Sequence, residues 1–180
     1  MIFTELELSG VFSINVEKLI DERGFFARSF DTKIFNDYGL KSNFVQCNIS
    51  SNIKKGTIRG LHFQTKPYEE AKLVRCTQGK VFEVIVDIRK NSKTFLNSIN
   101  IELSSENHTM IYVPEGFALG FQTLEDNCEL FYQMSQYYMP EYAKGILWND
   151  PKLNISWPLN PTVISKKDLS FSPINIEEFI

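Results

Sequence analysis

His62, Lys72 and Tyr132 are the residues of this chain whose types and spacing could carry acid–base chemistry. Imidazole is scarce here, with only two histidines in 180 residues. His62 sits in "RGLHFQ", a run that reads as a strand, where successive side chains go to opposite faces. Leu61 and Phe63 then share one face, and His62 and Gln64 share the other. In "KLVR", Lys72 and Val74 lie together, opposite Leu73 and Arg75. In "LFYQM", Tyr132 lies with Leu130 and Met134. In "KVFEVIVDI", Glu83 lies with Val81, Ile85 and Asp87, opposite Phe82, Val84, Val86 and Ile88. If these mixed faces turn into one barrel, His62, Lys72, Glu83 and Tyr132 converge in a largely apolar cavity. A neutral imidazole there could take a proton from carbon, an ammonium could stabilise the resulting oxyanion, and a phenol could return a proton from another direction. The matching reaction class is proton abstraction beside a carbonyl. Each residue also has a plain structural reading, as a hydrogen-bonded core histidine, a solvated lysine and a packed tyrosine, and the pattern alone leaves both open.

The elements that must position these groups are mostly short strands. "NFVQCNIS", "TIRGLHFQ", "AKLVRCTQ", "KVFEVIVDI", "SINIELS", "TMIYVPE", "GFQTLE" and "ELFYQMSQYY" follow one another between turn signals at Gly56, Gly79, Pro114-Glu115-Gly116 and Asp126-Asn127. The clearest helix is "DTKIFNDYG", with Asp31 placed to cap it and Gly39 to end it. A second short helix is expected near "INIEEF". With no repeat or linker, residues 1–180 read as one all-β domain, a double-stranded β-helix or jelly roll of the cupin type with a few short peripheral helices. Aromatic residues make up 13% of the chain, which suits pleated strands and supplies stacking surfaces.

Composition excludes several function classes. Net charge is −3, with 19 basic against 22 acidic residues, and Lys54-Lys55 and Lys166-Lys167 are isolated pairs, so nucleic acid is not an expected partner. Cys47, Cys76 and Cys128 are widely separated and odd in number, which fits neither a disulfide framework nor a zinc site. No leader segment or membrane span is read, and a soluble cytoplasmic protein is expected. A metal-dependent cupin needs about three His/Glu-type ligands, whereas His108, in the turn-like "ENHT", reads as a surface residue. No metal and no cofactor are expected. G-x-S-x-G, G-x-G-x-x-G and Walker loops are all missing.

Taken in order, "DERGFFARSF", "FVQCNIS", "TIRGLHFQ", "KLVRCTQGKVFEVIVDIRKNSKTF", "LSSENHTMIYVPEGFALGF", "ELFYQMSQYY", "WNDPKLNISWPL" and "ISKKD" give a chain that closely resembles the dTDP-4-dehydrorhamnose 3,5-epimerase family over nearly its whole length. The resemblance implies a homodimer with strands exchanged between subunits and a cofactor-free reaction on a nucleotide-diphospho-4-keto-6-deoxy sugar, within deoxysugar synthesis for surface polysaccharides. It implies that His62 is the base, Asp168 of "SKKD" its carboxylate partner, Lys72 the stabiliser of the enolate oxygen and Tyr132 the proton donor on the opposite face. Arg23 and Arg59 would contact the diphosphate. Phe26, Gln46, Asn48 and Tyr138 would hold the nucleotide, and Glu83 and Leu119 would line the sugar site.

This chain departs from the family pattern at some of these places. Leu119 of "GFALGF" stands where the family has a second histidine, Glu83 where aspartate is common, Cys47 where aspartate often follows the glutamine, and Arg28 where an acidic residue is common. The letters therefore leave open whether thymine is the base and whether carbon 3 alone or carbons 3 and 5 are inverted. A 3,4-ketoisomerase on the same fold and a non-catalytic nucleotide-sugar binder are the rival readings.

Overall fold

A strand with apolar residues on both faces needs a packing layer on each side, and "KVFEVIVD" is such a strand. In this computed structural model, which describes residues 1–175, it forms β8 (Lys80–Asp87) of a two-sheet jelly roll. The first sheet runs β1 (Ile2–Glu5), β2 (Phe12–Asn15), β10 (Met110–Val113), β7 (Lys72–Gln78), β12 (Cys128–Met134) and β5 (Gln46–Asn52). The second runs β13 (Ala143–Gly145), β6 (Thr57–Gln64), β11 (Phe117–Thr123), β8 and β9 (Ser98–Ser104), with β14 (Val163–Ile164) joined in parallel to the start of β6. From β5 to β8 and again from β10 to β12 the chain crosses from one sheet to the other at each step, so residues far apart in sequence face each other across the interior.

Three apolar clusters explain the two-sided patterns. Val81 and Ile85 of β8 pack between the sheets with Val74, Ile111, Leu119 and Leu130. Val84 and Val86 face the other way, against Leu61, Ile146, Leu153 and Ile174, where the later chain covers the second sheet. The outside of the first sheet is covered by α1 (Thr32–Asp37), whose Phe35 packs on Ile14, Leu73, Met110 and Tyr112. Asp31 caps α1 by accepting from the Lys33 and Ile34 amides, at 3.0 and 3.3 Å. Gly39, at φ +70°, follows its end, a backbone shape that glycine adopts at little cost.

The short strands β1, β2, β13 and β14 escape the sequence reading, and so do two further features. A detached hairpin, β3 (Leu19–Asp21) and β4 (Gly24–Phe26), pairs with no other strand among the described residues, and a single turn of helix, α2 (Lys166–Leu169), lies beside β6. Strands of three residues and helices of four are too short to show a period. The helix expected near "INIEEF" falls mainly on residues 176–180, outside the described residues. His108 is half-buried rather than a free surface group, its ring edge-on to Phe25 at 4.9 Å.

The pairing of β6 with β11 is irregular at one point. Leu119 of β11 pairs with His62 and Phe121 pairs with Arg59, so three steps along β6 match two along β11. This is a β-bulge, and the extra residue reverses the alternation locally. Arg59 and His62, an odd number of positions apart, consequently both face the interior. Gly60 makes the bulge possible, because its φ is +122° and a Cβ there would lie 2.5 Å from the Gly120 Cα and 2.8 Å from the Leu119 oxygen. Gly60→Ala is therefore expected to cost about 2–5 kcal/mol, combining backbone strain with overpacking against main chain. Gly39→Ala, with open space around it, should cost only the ~1–2 kcal/mol of the left-handed backbone. Denaturant midpoints of the two variants check this, and equal losses would contradict the steric account.

Candidate active site

Between the sheets lies a cavity of about 380 Å³, whose lining includes His62, Lys72, Glu83, Leu119 and Tyr132. The second sheet contributes His62 from β6, Leu119 from β11 and Glu83 from β8. Lys72 from β7 and Tyr132 from β12 come from the first. For His62, Lys72, Glu83 and Tyr132, the strand faces assigned from period two are the ones that line this cavity.

His62 is held from three directions. Its Nε2 lies 2.8 Å from Asp168 Oδ1, and the Asp168 side chain is only 5% exposed against 42% for the histidine. On either side in the sheet, its cross-strand neighbours are Leu119 and Gly145. Phe171 fills the space over Gly145 that a side chain would otherwise take, and it sets its ring edge-on to the imidazole at 5.8 Å. A carboxylate on Nε2 favours the tautomer with the proton there, which leaves Nδ1 as the nitrogen able to accept another.

Asp168 reaches this position because β14 pairs Val163 with Thr57 and Ile164 with Ile58, and Ser165 then turns the chain into α2. The Ser165 Oγ accepts from the Asp168 amide at 3.0 Å. The second Asp168 oxygen accepts from the Gly60 amide at 3.2 Å, so one carboxylate holds both the bulge and the ring. Burial pushes the Asp168 carboxyl up, but the hydrogen bond and charge of His62 and the Gly60 and Ser165 contacts outweigh it, and the group rests below its ordinary value of 3.8.

The Lys72 ammonium, on a side chain 13% exposed, is 2.7 Å from Glu70 Oε1. Tyr132 pairs with Val74 on one side and Asn48 on the other. Burial raises its phenol; the Arg59 charge opposes this, while Glu70 and Tyr138 add to it. At neutral pH Tyr132 is a proton donor. Arg59, anchored through Nε to Asn52 Oδ1 at 2.7 Å and to the Ser51 carbonyl, joins Lys167 and Tyr138 in the lining. Besides Lys72, this gives the site two further cations, Arg59 and Lys167, suited to an anionic group.

Not every expected residue meets the cavity. The Gln46 side chain instead accepts from the Tyr138 amide at 2.8 Å, fixing that aromatic, and the Asn48 amide contacts Met134 Sδ at 3.4 Å. Arg23 and Phe26 sit on the β3–β4 hairpin, where Arg23 pairs with Asp21 and Phe26 is 70% exposed. Glu70 and Lys167 line the site without having been singled out from sequence. "EEAK" and "SKKD" are loop-like, and alternation gives no orientation there. Among the described residues, no helix is long and apolar enough to cross a membrane, and no group of three or more His, Cys, Asp or Glu side chains gathers in a way that could hold a metal ion.

A family model described as dTDP-4-dehydrorhamnose 3,5-epimerase matches residues 5–175. The protein of that name from Shigella flexneri is 47% identical over 151 residues, covering 83% of each chain. Among solved structures, the dTDP-4-dehydrorhamnose 3,5-epimerase of Bacillus anthracis, crystallised with TDP and PPi bound, superposes with a TM-score of 0.93 at 38% identity, over 96% of this chain and 98% of its own. The dTDP-6-deoxy-D-glucose-3,5-epimerase of Legionella pneumophila, in complex with dTDP-4-keto-L-rhamnose, gives 0.92 at 36% identity over 99% and 96%.

Asp168 also makes a stability prediction. A carboxyl lowered on folding stabilises the protein above its ordinary pKa, and that contribution is lost as pH falls through the folded value. Wild type should exceed Asp168→Asn in denaturant midpoint above about pH 4, with the gap closing at lower pH. A gap independent of pH would contradict the charged dyad.

Proposed function

This chain belongs to the dTDP-4-dehydrorhamnose 3,5-epimerase family, and from that membership we infer that it is an isomerase inverting carbons 3 and 5 of a dTDP-linked 4-keto-6-deoxyhexose. The observation that carries the reading is the opposition of His62 on one sheet to Tyr132 on the other, across a cavity that also receives the Lys72 side chain.

Carbons 3 and 5 both flank the C4 ketone. His62 Nδ1 takes the proton from the carbon, the C–H electrons move into the carbonyl, and the developing enolate oxygen is stabilised by Lys72. Asp168 favours the imidazolium that forms. Tyr132 then delivers its phenolic proton to the other face of the same carbon, which inverts it. His62 gives up its proton to solvent and Tyr132 regains one, so the cycle consumes nothing. Leu119, 8% exposed beside His62, keeps that flank of the ring apolar and limits competing proton transfer to water.

Arg59 and Lys167 are placed to receive the diphosphate, with Tyr138, fixed by Gln46, available to stack on the nucleotide. Arg23 and Phe26 complete the site from a second copy of the chain in a homodimer that exchanges strands. Supporting this, the β3–β4 hairpin pairs with no other strand among the described residues of its own protomer and leaves Leu19, Ile20 and Phe26 from 69% to 80% exposed, an apolar patch of the kind that marks an interface.

The test is NMR of dTDP-4-keto-6-deoxyglucose in heavy water. Wild type should introduce deuterium at carbons 3 and 5 with inversion. His62→Asn should slow exchange at both by about 10²–10⁴, and full exchange in that variant would remove His62 as the base. Tyr132→Phe should retain exchange better than inversion; equal losses would remove Tyr132 as the acid. A migrated ketone would instead identify a 3,4-ketoisomerase, and binding without exchange a non-catalytic protein. Exchanged hairpins make a separate prediction: His62→Asn and Arg23→Ala, each impaired alone, should regain activity when unfolded and refolded together, because one site of the mixed dimer carries neither change. A mixture no better than its parts would contradict that arrangement.

A further inference from the structure

The cavity contains two carboxyl groups close to one lysine. Glu70, in the loop before β7, holds Lys72 Nζ at 2.7 Å, with the two side chains 3% and 13% exposed. Glu83 projects into the same cavity from the facing sheet and is 2% exposed. Both Glu70 Oε2 and Glu83 Oε2 are buried without a hydrogen-bond partner among the described residues. The strand neighbours of Glu83 are Ile101 and Phe121, which carry no charge. His62 and Arg59 of β6, Tyr132 of β12, Tyr138 and Lys167 line the cavity too, but only Lys72 acts appreciably on the Glu83 charge.

Placing a second carboxylate beside a single ammonium in such surroundings carries a desolvation cost of several kcal/mol that the existing pair does not offset. Keeping a proton avoids that cost. Burial accordingly raises the Glu83 carboxyl to about 8, against the opposing charge of Lys72.

We propose that Glu70 holds Lys72 in a fixed ion pair and thereby leaves Glu83 as a neutral carboxylic acid, whose O–H donates a hydrogen bond to an oxygen of the bound sugar. Glu83 is then a specificity contact, and Glu70 is the positioning residue that fixes the ammonium and sets its neighbour's protonation. The donor role rests on the cavity being the sugar site of the epimerase; the protonation pattern does not. A neutral acid in a dry site can donate where a carboxylate could only accept, and the ketone and hydroxyl oxygens of a 4-keto sugar accept such a bond.

Infrared or 13C NMR spectra of the ligand-free chain with isotopically labelled glutamate read the protonation directly. A carboxylic-acid signal should be present at pH 7, disappear as pH rises through about 8, and be lost in Glu83→Gln. In Glu70→Gln the ammonium is released to Glu83, so the signal should vanish about one unit or more lower in pH. No acid signal at pH 7, or a signal removed by Glu70→Gln and kept in Glu83→Gln, would overturn the proposal. With dTDP-4-keto-6-deoxyglucose, KM should rise above pH 8 in wild type and lose that rise in Glu83→Gln. Glu83→Leu should lose about tenfold or more in kcat/KM, and Glu83→Gln, which keeps a donor, should recover part of it. Equal losses in Gln and Leu variants would overturn the donor role. An acid signal that behaves as described in a chain with no epimerisation would sink the epimerase reading while leaving the protonation pattern intact, and turnover without the acid signal would do the reverse.

Discussion

The carboxylate of Asp168 ties β6 to a segment more than a hundred residues later. One of its oxygens holds the His62 ring and the other holds the Gly60 amide, so the ring's orientation and the bulge that aims Arg59 share one anchor. That anchor needs the parallel pairing of β14, the Ser165 turn and the space left by Gly145 for Phe171. A neutral ring on an unsupported strand could rotate and present either nitrogen. Here the Asp168 contact on Nε2 leaves Nδ1 as the nitrogen able to accept a proton, the orientation that the proposed base role requires.

The two-sheet architecture divides the remaining work. A proton can be removed and returned on opposite sides of a carbon only if the two groups come from opposite walls, and a jelly roll supplies two facing walls without further elaboration. Charge is graded in the same space. Arg59 and Lys167 are solvent-exposed cations suited to phosphate, while the buried Glu70 and Glu83 share the interior with the partly buried Lys72. A low dielectric strengthens the attraction of an ammonium for an oxyanion and makes an unpaired carboxylate expensive, so the proposed roles of Lys72 and Glu83 draw on the same burial.

Much of this was legible in the letters. Period two assigned His62, Lys72, Glu83 and Tyr132 each to a face of its strand, because each lies in a strand of seven or eight residues; that these faces meet inside was a condition the letters did not supply. Asp31 and Gly39 marked α1 because capping chemistry is local. Asp168 and Arg59 could not be placed that way: one belongs to a four-residue helix, and the other is aimed by a bulge that alternation would misread. Glu70 sits in a loop where no period applies. The β3–β4 hairpin was invisible as a strand pair, since its six residues are exposed and their pattern answers to no core of their own chain. The resemblance of the sequence to a known family supplied these residues with roles, and the geometry supplies the physical reasons those roles are feasible.

The imidazole itself offers the most direct check. In 15N NMR of the ligand-free protein, the neutral form of His62 should carry its proton on Nε2, bonded to Asp168, with Nδ1 bare; the same ring in Asp168→Asn should lose that preference. A ring protonated on Nδ1 while facing Asp168, or one indifferent to the loss of the carboxylate, would contradict the account of His62 as an oriented base.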